Sequence, residues 1–126
     1  MDCVTIWFGF FASEDSLEAY LHEEVGDDDE APWSAFADDT GVDLVSIERI
    51  ESSFTDEPTG DARALLRGHD LPPGLVEAVE GLWSVMGGQV LANTALVVWG
   101  GDPPPPRSIE TEDYALVQVG SFRAAA

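Results

Sequence analysis

The chain has 126 residues, 25 of them Asp or Glu against five Lys or Arg, for a formal net charge of −20. Charge of one sign says little about fold, but it disfavours nucleic acid and anionic lipid as partners and favours basic proteins. With 44% hydrophobic and 10% aromatic residues, the composition excludes disorder throughout and fits one domain, 1–126, which at this size buries roughly two-thirds of its unfolded surface.

Cys3 to Phe11 is apolar on both faces and rich in β-branched and aromatic residues, which predicts an internal strand covered on two sides. Ser13 has the character of a helix N-cap, followed by Glu14 and Asp15 where the helix dipole favours acids. Leu17, Tyr20 and Leu21 fall at helical spacing and should face a core. The single cysteine, Cys3, cannot form an internal disulfide and is expected as a buried thiol. The opening MDCVTIWFGFFASEDS is too short an apolar span to cross a membrane and lacks a basic leader, so a cytoplasmic location is expected.

GDDDEAPWSAFADD, Gly26 to Asp39, sets six acids around a Trp and a Phe. Pro32 suits the first turn of a helix, Trp33, Phe36 and Ala37 repeat at i, i+3 and i+4, and Gly41 is placed to end it. Val42 to Glu51 reads as a second, more exposed strand whose alternation shifts phase between Leu44 and Val45, the mark of an irregularity. Ser52 to Gly60 is turn-like. Asp61 to Arg67 suits a short helix. Pro72-Pro73 opens a longer one with Leu75, Val76, Val79, Leu82, Trp83 and Met86 on its apolar face, stopped by Gly87-Gly88.

Gln89 to Trp99 and Tyr114 to Phe122 read as two further strands. The loop between them holds Pro103 to Pro106, a polyproline II rod that serves more often as a stiff connector than as an SH3-type ligand. The order β-α-α-β-α-α-β-β predicts an α+β fold, one mixed four-stranded sheet with helices packed against it.

Chemistry finds little foothold. Asp27 to Glu30 suggests calcium, but the EF-hand register from Asp27 puts Pro32 where the loop needs Gly, and consecutive acids do not converge on one centre; no metal or cofactor is expected. His22 sits on a helix surface and His69 in a turn, neither beside a recognisable nucleophile, and no Gly-rich phosphate loop occurs. The chain does not read as an enzyme.

The acids instead suit a binding surface. One or two acids would satisfy the dipole of the helix near Pro32, at about 0.3 to 1 kcal/mol each. Asp27, Asp28, Asp29 and Glu30, with Asp38 and Asp39 at the other end, exceed that need and add repulsion. Such a rim beside Trp33 would steer and anchor a basic protein, while Phe36 fits better as the buried face of its helix. A proteome adapted to high salt would also produce such acidity without any specific partner.

The segments VTIWFGFFASEDSLEAYL, WSAFADDTGVD, NTALVVW and VQVGSF, in that order, resemble the immunity protein 22 family of bacterial polymorphic toxin systems. The resemblance implies a cytoplasmic antidote that binds a cognate toxin C-terminal domain and is not itself an enzyme. Trp7, Gly9, Phe36, Asp39, Gly41, Asn93, Gly120 and Phe122 match the family pattern, and most read as architectural, with Gly9 and Gly120 allowing close backbone approach or a bulge. Where that pattern has an aromatic and acidic strand after Gly41, this chain has VDLVSIERIE, which keeps acids at Asp43, Glu48 and Glu51 without the aromatic. The expected partner surface is therefore Asp27 to Glu30, Trp33, Asp38, Asp39, Asp43, Glu48 and Glu51, facing a basic toxin. The alternative is an acidic nucleic-acid mimic or regulatory adaptor for a basic host protein.

Overall fold

The computed structural model describes residues 3–22, 34–41, 47–69, 71–87, 91–100 and 108–123. Strand β1, Cys3–Phe11, lies at the centre of a sheet in which every pairing is antiparallel. Its sequence dictates that place: Val4, Ile6 and Phe8 point to one face and Trp7 and Phe11 to the other, and all five are buried. A strand apolar on both sides needs cover on both sides.

Helix α1, Glu14–Leu21, follows at once, and Ser13 caps it as expected. The Ser13 hydroxyl accepts from the Ser16 N–H and the Ser16 hydroxyl accepts from the Ser13 N–H, each at 3.1 Å, so two otherwise unpaired donors are satisfied reciprocally. Helix α2, Ala35–Thr40, is capped by Ser34, whose hydroxyl accepts from the Ala37 N–H at 3.0 Å. The helix opens after Ser34, which supplies the extended cap conformation and the side-chain acceptor; Pro32, expected in its first turn, lies outside the described residues. Gly41 ends it in the left-handed region at φ 78°, where a side chain would be strained.

These two helices cover the Trp7 face. Trp7 meets the ring of Phe36 edge-on at 5.1 Å, and Leu17, Tyr20, Leu96 and Leu116 complete that core. Phe36 is fully buried, as its helical position implied.

The opposite face is covered by α3, Ala62–Leu65, and α4, Pro73–Gly87. Asp61 caps α3 through the Arg63 N–H, and the Phe8 ring meets Trp83 of α4 edge-on at 5.0 Å. Leu75, Val79 and Trp83 are buried on α4, whereas Leu82, expected on the same face, stays 41% exposed at its rim. Trp83 also donates its indole N–H to the Gly60 carbonyl at 3.1 Å, which ties α4 to the end of the preceding strand.

That strand, β2, is Ile47–Thr59, and it corrects one expectation: Ser52 to Thr59 is not a turn but continues the strand, and the bend comes only at Gly60. Ser52, Ser53 and Phe54 pair with Leu96, Ala95 and Thr94 of β3, Ala92–Gly100, so a polar stretch is held in the sheet by its neighbour's backbone. Among the described residues the sheet has five strands, not four, and is antiparallel, not mixed; with β4 at Ser108–Glu110 and β5 at Tyr114–Arg123, its order is β2-β3-β1-β5-β4. The added strand is β4, three residues paired with the start of β5. Three residues are too few for a period-2 pattern to stand out from a loop.

Two glycines show why the strands approach as they do. A Cβ on Gly9 would stand 2.4 Å from the Ala115 carbonyl oxygen, so only Gly permits that β1–β5 spacing. Gly120 follows a register shift between the Ile6–Gly120 and Trp7–Gln118 pairs, the bulge allowed for at that position. Asn93 adds a side-chain pairing at the end of β1: its Oδ1 accepts from the Phe11 N–H at 3.0 Å and its Nδ2 donates to the Phe11 carbonyl at 2.8 Å.

Candidate partner-binding surface

Helix α2 is where the acidic segment meets the described fold, and its geometry separates two adjacent acids. Asp38 is exposed, whereas Asp39, about 100° further round the helix, turns inward. Its Oδ2 accepts from the Tyr20 hydroxyl at 2.9 Å and from the Tyr114 hydroxyl at 2.5 Å. One carboxylate oxygen therefore joins α1, α2 and β5. The two phenol rings lie 4.7 Å apart, and Phe11 stacks on Tyr114 at 5.3 Å beneath them. Burial, followed by the hydrogen bond to Asp39, pushes the Tyr114 hydroxyl up to about 12 and raises that of Tyr20 further.

Glu48 and Glu51 lie on β2 in different settings. Glu48 is exposed at a register shift: Ile47 faces Gly100 and Arg49 faces Trp99, so Glu48 is the extra residue. Gly100 makes room for it, with φ 86° and an added Cβ only 2.9 Å from the Glu48 backbone nitrogen. The phase change at Leu44 and Val45, from which an irregularity was expected, lies outside the described residues; the shift seen in the strand is at Glu48.

Glu51 lies on the α3 face of the sheet and is engaged there. Its Oε2 accepts from the Trp99 indole N–H and from Arg49 Nε at 3.1 Å, and Arg49 lies 4.6 Å over the Trp99 ring. Burial alone would raise the Glu51 carboxyl, but the hydrogen bonds from Trp99 and Arg49 outweigh it and leave it below the usual range. His69 completes the group: it lies in a turn as expected, but its side chain is not at the surface. Its side chain is 5% exposed, with Nε2 3.0 Å from the Ser53 hydroxyl and Nδ1 3.5 Å from Glu51 Oε1. The Ser53 hydroxyl in turn donates to the Leu65 carbonyl at 3.1 Å, which fastens α3 to β2.

The acids expected to act together are thus divided. Asp39 and Glu51 sit on opposite faces of the sheet, each bonded into its own core margin, while Asp38 and Glu48 are exposed. Asp27, Asp28, Asp29, Glu30, Trp33 and Asp43 lie outside the described residues. Sequence reasoning missed the tyrosine pair around Asp39, because Tyr114 is 75 positions away and nothing local marks it. It also missed the length of β2.

Among the described residues, no group of three or more His, Cys, Asp or Glu is placed to hold a metal ion, and no helix is long and apolar enough to cross a membrane. A family model described as Immunity protein 22 matches residues 4–80. No curated protein and no solved structure matches the chain.

Proposed function

Because the chain belongs to the immunity protein 22 family, we propose that it binds the toxin domain of a bacterial polymorphic toxin system and blocks a basic active site by occlusion. The family match over residues 4–80 carries the reading, and it spans α1, α2, β2 and the acidic stretch between the two helices. The net charge of −20 supports the electrostatic part of the proposal. Asp27, Asp28, Asp29, Glu30, Asp38, Asp43 and Glu48 form the proposed contact surface, with Trp33 as its anchor. Asp39 and Glu51 support it from within the fold. If the toxin is a nuclease, these carboxylates take the place of substrate phosphates against its Arg and Lys side chains.

Occlusion needs no chemistry from the inhibitor, only speed and persistence. Complementary charge raises association rates from about 10⁵ or 10⁶ to 10⁸ M⁻¹s⁻¹ or more, which suits an antidote that must find its toxin before damage is done. Co-expression should rescue cells from the toxin domain encoded beside this chain. Reversing the charge of Asp27, Asp28 and Asp29 should slow association at low salt while leaving the thermal midpoint in place. Rescue without any complex between the two proteins would reject inhibition by binding, and an unchanged association rate would reject this face.

A further inference from the structure

β2 is the outermost strand on its side of the sheet, and none of its thirteen residues is buried. Arg49 to Phe54 runs in unbroken register with Trp99 to Thr94 of β3. The other side of that stretch presents backbone N–H and C=O groups, and among the described residues no strand pairs with them.

Edge strands are commonly guarded by charged side chains that discourage pairing. Here the two charged side chains of the regular stretch are turned onto the sheet itself. Arg49 covers Trp99 and holds Glu51, and Glu51 accepts from the Trp99 indole. The open stretch is bracketed by exposed acids, Glu48 before it and Asp56 and Glu57 after it. Between them, half-buried Ile50 and Phe54 pack at the margin of the Trp7 core, with small Ser52 separating them.

We propose that the Arg49 to Phe54 edge receives a β-strand of the toxin domain, one with Lys or Arg near its ends and apolar residues facing Ile50 and Phe54. The proposal rests on the toxin-binding reading above. Main-chain hydrogen bonds would supply affinity, and the acids at both ends would select a basic strand. A second copy of this chain is disfavoured at the same edge, since it would set Glu48, Asp56 and Glu57 against like charges.

Amide hydrogen exchange of the full chain, alone and with the toxin domain encoded beside it, tests this. On binding, exchange at residues 50–53 should slow by at least about tenfold, with the three residues of β4 unchanged. Successive strand residues aim their N–H groups to opposite sides, so one of Ser52→Pro and Ser53→Pro cuts the ladder to β3 and the other removes an outward donor, Ser53→Pro also losing the hydroxyl that bonds the Leu65 carbonyl. Whichever keeps the wild-type thermal midpoint should bind the toxin domain about 100-fold more weakly. If both unfold, exchange decides. A complex with unaltered exchange at 50–53 overturns the edge proposal alone, whereas no complex at all overturns the functional reading with it. Slowing of these amides in the isolated chain as its concentration rises, the sign of self-pairing, also overturns it.

Discussion

Replacing Asp39 by Ala removes the acceptor shared by two phenols on separate elements. Hydrogen bonds to a charged group contribute about 1.5 to 3 kcal/mol each, and leaving a buried donor unpaired adds to the loss. Tyr20 is buried and Tyr114 half-buried, so the lower part of that range applies to the second bond. The sum is about 3 to 4.5 kcal/mol, which for a domain of this size lowers the thermal midpoint by on the order of 10 °C. Asp39→Asn keeps shape and an oxygen acceptor and should cost about half as much. Asp38→Ala, one position away and exposed, should stay within about 0.5 kcal/mol. Alkaline titration adds an independent readout. The Tyr114 hydroxyl titrates at about 12 in the folded protein against 10.0 for an ordinary tyrosine, and Tyr20 is also raised. A raised folded value means that the stabilisation is intact below pH 10 and is lost as pH climbs through about 12. In Asp39→Asn that alkaline loss should be shallower and phenolate absorbance should appear earlier. Equal midpoints for Asp39→Ala and Asp38→Ala would refute the tyrosine cage as a structural joint.

Gly9→Ala should destabilise the fold by about 2 to 3 kcal/mol in urea titration, because its methyl would meet a backbone oxygen that cannot rotate away. Asn93→Ala should cost about 2 to 4 kcal/mol, since both its amide groups pair with the buried backbone of Phe11; chemical denaturation measures it, and hydrogen exchange should locate the fraying at the end of β1. Glu51, whose carboxyl is held below its ordinary 4.5, contributes stability that is present above that value and lost as pH falls through the lowered one. Comparing urea midpoints at about pH 7 and about pH 3, Glu51→Gln should therefore show a smaller acid loss than the parent.

The sequence was most legible where a local rule decides the outcome. Ser13, Gly41 and Pro73 each satisfy a backbone need within one turn of themselves, so the ends of α1, α2 and α4 follow from a few neighbouring residues. β1 was readable because nine residues apolar on both faces have one stable place, the middle of a covered sheet. β2 was not, since Ser52 to Thr59 carries turn residues and lies in the sheet through long-range pairing with β3. The parallel component expected from helices between strands also fails for a topological reason. β1 pairs with β3 and β5 but not with β2, so the helical connection leads to the far edge and every adjacent pair runs antiparallel. In the candidate surface, acidity was legible and orientation was not: Asp38 and Asp39 are identical in type and adjacent, and only the distant Tyr114 separates their roles.

The charge itself has two competing origins, and the fold permits a test between them. Five basic side chains cannot neutralise 25 acids, so at least twenty carboxylates repel within one small chain. Apolar cores on both faces of the sheet must offset that repulsion. If the acidity is an adaptation to a salty cell, screening is a condition of folding, and the protein should lose its cooperative thermal transition at low ionic strength. If the acids serve a basic partner, the two cores should hold the fold at about 0.1 M salt, where the screening length is about 10 Å. Association with the toxin domain should then slow by an order of magnitude or more towards 1 M, where that length is about 3 Å. A chain that folds at low salt yet binds at a rate indifferent to salt fits neither origin, and the steering role would be abandoned.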